Sequence, residues 1–341
     1  MPLRVLFANT ITGGKVGQVP NQITVLYQLF KKEGQTVLAT SAVINKPLRY
    51  LDVVSYIIRK RNKYDILHID IYSGPNFYIT SVASLLGKLL GKKMVMVLHG
   101  GNIPEWYKTN KKWMHKVMDR AHALVTPSDF LAEWLLSIGY QAVVIPNVIE
   151  NFDSYPFRIR NKIKPNFFWM RKFHPIWNPD MAVLVLKKIL GKYPDAKLVL
   201  AGGDEGYQSV TKELVRKLDV QNNVEFTGFL KMNKKVQYAD QADIFLHTNR
   251  IDNMPVSVIE ACAMGLVIIA TKVGGIPYLL KNEENALLVD DNSVEQMAEA
   301  INRLLLDPEL CGKLSENGRK LALKSSWLEV KKQWESLYTN L

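Results

Sequence analysis

The sequence predicts an α/β protein of two domains, each a parallel sheet covered by helices. With 341 residues, the chain is longer than one ordinary domain core, and its length favours two domains of roughly 150 to 180 residues. Short β-rich runs alternate with longer helical segments throughout, which is the pattern of parallel strands joined by helices. The alternation is interrupted over residues 150–165, where Asn151, Pro156 and several basic residues predict a linker.

The individual elements follow from hydrophobic periodicity. In the first half we predict strands at 3–9, 35–40, 65–70, 93–98, 122–126 and 142–146, and helices that include 21–33, 48–62, 76–91 and 127–138. In the second half we predict strands at 166–171, 196–201, 223–227, 242–247, 266–270 and 286–289, and helices that include 179–193, 207–219 and 293–306.

The last segment has an amphipathic pattern. Trp327, Val330, Trp334 and Leu337 recur at spacings of three and four residues, which predicts a helix with one apolar face. We therefore expect a first domain over 1–150, completed by the helix 326–341, and a second domain over 151–325.

Composition narrows the classes of protein that this chain can belong to. No uninterrupted apolar run reaches the roughly 18 residues of a membrane span, and the N-terminus runs into a strand pattern without the features of a signal peptide. Cys262 and Cys311 are the only cysteines, so a disulfide framework is not expected. These features favour a cytoplasmic protein.

Positive charge is concentrated in the first half. The net charge is +12, and residues 1–150 hold 18 Lys and Arg against 9 Asp and Glu. Amphipathic segments at 53–63 and 81–93, and a lysine group at 108–116, carry much of it. We hypothesise docking on an anionic membrane surface, which makes the protein peripheral on the inner face of the cell membrane. Ordinary solvated surface helices are the alternative, and no aromatic–basic module suggests a nucleic-acid partner.

Loops at the carboxyl ends of parallel strands are where such sheets bind ligands. The loop 9–17 (NTITGGKVG) follows the first strand, and its Gly14 would let the backbone approach an anion. His99 ends an apolar strand, where it could hydrogen-bond a sugar hydroxyl or move a proton, or simply anchor its own glycine loop. Arg171 and Lys172 could neutralise a diphosphate, or form a solvated basic turn.

A fourth loop leads into an apolar helix that contains a single acidic side chain. Pro255 suits the first turn of this helix and Gly265 its end. Glu260 lies inside it, four residues after Val256, and its side chain leans toward the helix N-terminus. A phosphate on the N-terminal amides and a ribose hydroxyl on Glu260 would match that separation. The alternative is a buried Glu paired with an Arg or with backbone amides.

These residues resemble the signature of retaining glycosyltransferases of the GT-B fold, specifically glycosyltransferase family 4. The family motif has an acidic residue, seven others and then Glu, positions that Asp252 and Glu260 occupy here. Further matches follow in the family's order along the chain, at 126–128 (TPS), 145–147 (IPN), 202–204 (GGD), 226–229 (FTGF), 268–277 (IIATKVGGIP) and 285–289 (NALLV). The resemblance implies two Rossmann-like domains facing each other across a cleft, with the C-terminal helix crossing back to the first.

The resemblance also implies roles for individual residues. Glu260 would hold the ribose, Asp252 would face the donor sugar, and His99 would line the sugar pocket. The remaining donor-binding positions would be Gly14, Arg171, Lys172, Gly203, Phe229, Leu230, Asn253, Met254, Pro255, Val256 and Ser257. The family's usual Lys about five positions after the Arg is missing, and either Lys172 or His174 would have to replace it. No Asp-x-Asp motif is present, and no metal or cofactor is expected.

The function implied is transfer of a sugar from a UDP- or GDP-sugar to a glycan or lipid-linked acceptor, with retention of configuration, in cell-surface polysaccharide or glycolipid assembly. No carboxylate is evidently placed as a covalent nucleophile, which favours front-face attack over double displacement. A nucleotide-sugar epimerase, or a non-catalytic nucleotide- or carbohydrate-binding protein of the same fold, are the alternatives.

Overall fold

The computed structural model describes residues 4–9, 20–40, 43 and 45–341. The chain divides into two compact units: unit 1 is Met1–Glu150 with Trp327–Leu341, and unit 2 is Asn151–Ser326. Each unit is built on a parallel six-stranded sheet. The predicted fold class, two Rossmann-like α/β domains, is therefore confirmed.

Strands and helices alternate along unit 1. In chain order they are β1 (Arg4–Phe7), α1 (Gln22–Lys32), β2 (Thr36–Ala39), α2 (Lys46–Arg59), β3 (Ile66–Ile71), α3 (Phe77–Leu89), β4 (Lys93–Leu98), α4 (Ile103–Met118), β5 (Ala123–Thr126), α5 (Asp129–Ser137) and β6 (Val143–Val144). The sheet order is β2-β1-β3-β4-β5-β6. The central strands β3 and β4 are buried almost throughout, as expected for a parallel sheet with helices on both faces.

Unit 2 repeats this architecture. Its elements are β7 (Asn166–Met170), α6 (Pro179–Leu190), β8 (Lys197–Ala201), α7 (Gln208–Lys217), β9 (Val224–Gly228), α8 (Met232–Gln241), β10 (Ile244–His247), α9 (Val256–Ala263), β11 (Val267–Thr271), α10 (Ile276–Leu279), β12 (Leu287–Val289), α11 (Val294–Leu306) and α12 (Pro308–Leu323). The sheet order β12-β11-β10-β7-β8-β9 places the reversal of strand order between β7 and β10. Ligands of doubly wound sheets bind beside this reversal.

The chain ends in α13 (Trp327–Thr339), which belongs to unit 1. Val330, Trp334 and Tyr338 are buried and share one apolar cluster with residues of α1 and of β1, β3, β4 and β5. The amphipathic spacing of the last segment therefore does predict a helix that packs on the first sheet. Within the described residues, every helix is too short or too polar to cross a lipid bilayer.

The predicted linker 150–165 contains the boundary between the two units, which falls after Glu150, and residues 151–165 are packed as part of unit 2. Tyr155 is buried and Arg160 is only 1% exposed. The Arg160 guanidinium donates to main-chain carbonyls at the ends of α8 and α9, those of Ala239, Ala242 and Met264. The sequence alone does not distinguish an arginine that bonds the free carbonyls of a helix end from an arginine exposed to solvent.

Candidate functional site

Asp252 is the centre of a polar cluster at the carboxyl edge of the second sheet. It lies in the loop between β10 and α9, and Arg171 lies just after β7, so the two residues flank the reversal of strand order. The Asp252 carboxylate accepts hydrogen bonds from Arg171 Nη2, from Asn249 Nδ2 at 2.6 Å and from His247 Nε2 at 3.2 Å, all on Oδ2. Oδ1 accepts from the amide of Asn253.

These contacts keep Asp252 ionised. Burial alone would raise the pKa of Asp252, but the charge of Arg171 and the hydrogen bond from His247 outweigh burial and hold the pKa well below its ordinary value. Burial lowers the pKa of His247, so its ring is neutral and donates through Nε2. Asp252 is thus a fixed anion whose Oδ2 is already saturated by donors.

Arg171 is clamped between an anion and an aromatic ring. Its guanidinium carbon lies 4.3 Å from the centroid of the Trp177 ring, and its side chain pairs with Asp252. Gly202 packs so closely behind the Arg171 carbonyl that any Cβ at position 202 would overlap it. Arg171 is 26% exposed, so part of the guanidinium can still meet a ligand.

The neighbouring basic residues have other partners. Lys172 Nζ pairs with Glu205 at 2.6 Å, and both side chains are about half exposed. His174 Nδ1 accepts the amide of Ile176 and caps the short 3-10 helix Pro175–Trp177. Lys172 therefore places a half-exposed cation next to Arg171 in the sequence, whereas His174 has a local structural contact.

Helix α9 places Glu260 as the sequence predicts, inside a helix that is buried over Ser257–Ala263. The Glu260 carboxylate has two hydrogen-bond partners. Its Oε1 accepts from Lys235 Nζ at 2.6 Å and from the Tyr155 hydroxyl at 2.7 Å. The alternative of a paired buried Glu is thus realised in part, with a Lys in place of an Arg. Both contacts use Oε1, so Oε2 remains as an acceptor.

The start of α9 is lined by polar atoms that lack partners. Among the described residues, Ser257 Oγ, His247 Nδ1 and Asn249 Oδ1 are buried without a hydrogen bond. Buried polar atoms in native proteins are almost always satisfied by protein, water or ligand. The loop is held from behind by Gly274 and Gly275, which pack against the carbonyls of Asp252 and Asn253. The amides at this helix end are therefore presented by a rigid loop.

The remaining predicted positions of unit 2 lie at the same sheet edge. Asn253, Met254, Pro255 and Val256 form the approach to α9, with Pro255 one residue before its first turn. Gly203, Phe229 and Leu230 follow β8 and β9. The structure thus brings the unit 2 set together, whereas Gly14 lies outside the described residues.

His99 lies in unit 1, directly after β4. Its Nε2 is 3.1 Å from Asp70 Oδ1, and its ring stacks on Tyr72 with centroids 5.5 Å apart. It therefore contacts a carboxylate on a neighbouring strand, which the sequence analysis did not identify.

Sequence reasoning missed five polar residues beside the candidates: Asp70, Tyr155, Lys235, His247 and Asn249. Two signals were available in the sequence. Asp70 lies in a mostly apolar strand, His247 ends another strand and Asn249 lies two residues after it. Tyr155 and Lys235 gave no signal, since they reach Glu260 from positions 105 and 25 residues away.

Comparisons with known proteins identify the family models that match this chain and the solved structures that share its fold. The family model described as glycosyl transferases group 1 matches residues 157–321, and the model of glycosyltransferase family 4 matches residues 30–151. HepE of Anabaena, solved in complex with UDP, superimposes with a TM-score of 0.78 at 17% identity, covering 99% of this chain and 100% of HepE. A sucrose-phosphate synthase of Thermosynechococcus elongatus has a TM-score of 0.75 at 16% identity, covering 98% of this chain and 88% of the synthase.

Curated relatives match over shorter stretches. An uncharacterized glycosyltransferase of Haemophilus influenzae is 27% identical over 46% of this chain and 44% of its own length. A GDP-mannose-dependent alpha-(1-6)-phosphatidylinositol monomannoside mannosyltransferase of Mycobacterium tuberculosis is 26% identical over 54% of this chain and 48% of its own length. The chain spans about half the length of these relatives.

Proposed function

We propose that the chain transfers a sugar from a nucleoside diphosphate sugar to an acceptor hydroxyl, because residues 157–321 match the glycosyl transferases group 1 family and residues 30–151 match glycosyltransferase family 4. One observation carries the proposal: a rigid loop presents the free amides of α9 beside Arg171, while Glu260 keeps one carboxylate oxygen for a ligand. Amides and a guanidinium suit a diphosphate, and a carboxylate oxygen suits ribose hydroxyls.

The donor carries UDP or GDP in this proposal. HepE was solved with UDP and with UDP-glucose, and the mycobacterial relative is GDP-mannose-dependent. Phe229, Leu230 and Gly203 contact the nucleoside side of the donor. Asn253, Met254, Pro255, Val256 and Ser257 surround its sugar and phosphates, and Lys172 supplements Arg171.

In the reaction, the acceptor oxygen bonds to the anomeric carbon while the bond from that carbon to the β-phosphate oxygen breaks. The nucleoside diphosphate leaves with the electron pair and accepts the hydroxyl proton. Arg171 and the helix amides stabilise the charge that develops on the leaving group. Oδ2 of Asp252 is occupied by three donors, which favours front-face attack with retention over a covalent intermediate on Asp252.

An acceptor-dependent assay separates this function from its rivals. With UDP-glucose and GDP-mannose as donors and a panel of glycan and lipid-linked acceptors, we expect release of nucleoside diphosphate only when an acceptor is present, and an α-linked product by NMR from these α-linked donors. A changed nucleotide-sugar without acceptor would show an epimerase. Intact donor after prolonged incubation with every acceptor would indicate a binding protein and contradict transfer.

We also propose that the acceptor domain is unit 1 and that its α2–α3 face docks on an anionic membrane. Helices α2 and α3 pack together and expose Leu48, Leu51, Leu85 and Leu89, the last at 72%. The cations of 59–63 and 88–93 lie at and just after the C-terminal ends of these two helices, which suits a surface that takes both apolar and anionic contacts.

Vesicle co-sedimentation tests the docking surface. We expect binding to phosphatidylglycerol vesicles, weaker binding to phosphatidylcholine vesicles, and a loss of binding in Leu89→Ser. Leu306→Ser is the matched control, because Leu306 is also 72% exposed but lies on α11 of unit 2. Equal sedimentation with both lipids, or equal losses in the two variants, would contradict the proposal.

A further inference from the structure

A carboxylate lies buried in the middle of unit 1. Asp70 is in β3 and is 0% exposed. Its Oδ1 lies 3.1 Å from His99 Nε2, and its Oδ2 accepts from the Tyr72 hydroxyl at 3.2 Å. Its ion-pair partners among the described residues are two histidines, His68 and His99, with no Lys or Arg. An ionised group in the interior is retained only when its environment holds it.

The polar chain continues from Asp70 to the C-terminal helix. His68 Nε2 is 3.7 Å from the same Oδ1 of Asp70, and His68 Nδ1 is 2.6 Å from the Tyr338 hydroxyl on α13. His68 is fully buried, and Tyr338 is only 4% exposed. The connection is distant in sequence, since Tyr338 and His68 are 270 residues apart.

The protonation states of these polar residues follow largely from their burial. Burial raises the pKa of Tyr338, and the charge of Asp70 adds to the effect, so the hydroxyl keeps its proton and donates to Nδ1 of His68. Burial lowers the pKa of His68, so its neutral ring carries the proton on Nε2, facing Asp70. Burial would raise the pKa of Asp70, but the nearby imidazoles of His99 and His68 outweigh burial and lower it, although His68 Nε2 is too far away to form a hydrogen bond.

The ring of His99 is restrained on two sides. Asp70 holds the Nε2 edge, and Tyr72 stacks on one face at an interplanar angle of 20°. Asp70 is the penultimate residue of β3, which lies beside β1 and β4 at the reversal of strand order in this sheet, where ligands of doubly wound sheets bind.

We propose that Asp70 is the positioning residue of His99, and that α13 extends this series of polar contacts through the hydrogen bond between Tyr338 and His68. The inference rests on the proposed function and on the role that the family resemblance implies for His99, which would line the sugar pocket. Asp70 fixes the ring orientation and the nitrogen that carries the proton. The C-terminal helix thereby contributes to the site through a hydrogen bond as well as through apolar packing.

Spectroscopy and kinetics on the full chain test this inference. In protein labelled with ¹⁵N-histidine, we expect a hydrogen-bonded Nε2 proton on His99 that disappears in Asp70→Asn. We expect kcat to fall about 10- to 100-fold, the effect of losing one charge-assisted hydrogen bond, while KM for the donor stays within about twofold. Tyr338→Phe keeps the ring and should shift the signals of His68 and His99, with a smaller loss of kcat.

Tyr140→Phe is the matched control. The Tyr140 hydroxyl also contacts a histidine, at 2.7 Å from His115 Nδ1, but it does not belong to the polar contacts around Asp70. The NMR signals of His99 and kcat should therefore not change in Tyr140→Phe. If Asp70→Asn does not fold, Tyr338→Phe decides alone. Unchanged His99 signals and kcat in the folded variants would overturn the inference. If the wild-type protein shows no transfer, the proposed function fails, whereas the histidine spectra still test the Asp70–His99 bond.

Discussion

The ion pair between Lys235 and Glu260 gives a quantitative test of how unit 2 holds its key carboxylate. The two side chains are 16% and 12% exposed and meet at 2.6 Å. Exposed pairs contribute about 0.2 to 1 kcal/mol, and breaking a fully buried pair costs about 3 to 5 kcal/mol. This pair lies between those limits, so we expect a coupling free energy of about 1 to 3 kcal/mol.

A double-mutant cycle measures that coupling. The cycle combines Lys235→Met with Glu260→Gln, and thermal unfolding of each variant is followed by calorimetry. Loss of the ion pair is expected to lower Tm by about 2 to 12 °C. The control cycle uses Lys188 and Glu295, which are 50% and 69% exposed and 3.3 Å apart, so we expect a much smaller coupling free energy for this pair. Equal coupling in the two cycles would refute the reasoning.

Two further predictions concern the loop before α9. The folded-state pKa of Asp252 lies below its ordinary value. The ionised carboxylate therefore stabilises the fold above about pH 4, and this stabilisation is lost as the pH falls through the folded-state pKa. Asp252→Asn should lower Tm at pH 7 and make the decline of Tm in acid less steep. Gly275→Ala should destabilise by about 1 to 3 kcal/mol and weaken nucleotide binding, because its Cβ would overlap the carbonyl of Asn253. Gly312→Ala is its control, since a Cβ there meets Asn161 at an ordinary 3.7 Å; equal stability of the two variants would argue against a rigid loop.

The sequence predicted the sheets well because their signals are local. Each strand is a short apolar run, and β3 and β4 show it most clearly since both faces are buried. The helix α9 was equally predictable, from a proline at its start, a glycine after its end and one acidic residue in an apolar run. Periodicity and helix-end residues carry this information within about 15 residues of sequence.

The partners of the candidate residues were not predictable in the same way. Lys235 appears in the sequence as one of several lysines in a polar helix, and its contact with Glu260 exists only once α8 and α9 lie side by side. Arg160 was assigned to a predicted linker, and its contacts with helix-end carbonyls likewise gave no signal in the sequence. Such pairings depend on tertiary packing, about which a single sequence holds no local signal.

The most direct test of the central claim is the affinity of the chain for free nucleotides. By isothermal titration calorimetry, we expect UDP or GDP to bind the wild-type protein and Glu260→Ala to raise Kd about 10- to 100-fold, since a charged hydrogen-bond acceptor is lost. Glu225→Ala removes an exposed Glu that bonds Tyr238 in the same unit, and it should leave Kd unchanged. An unaltered Kd in Glu260→Ala would contradict the account.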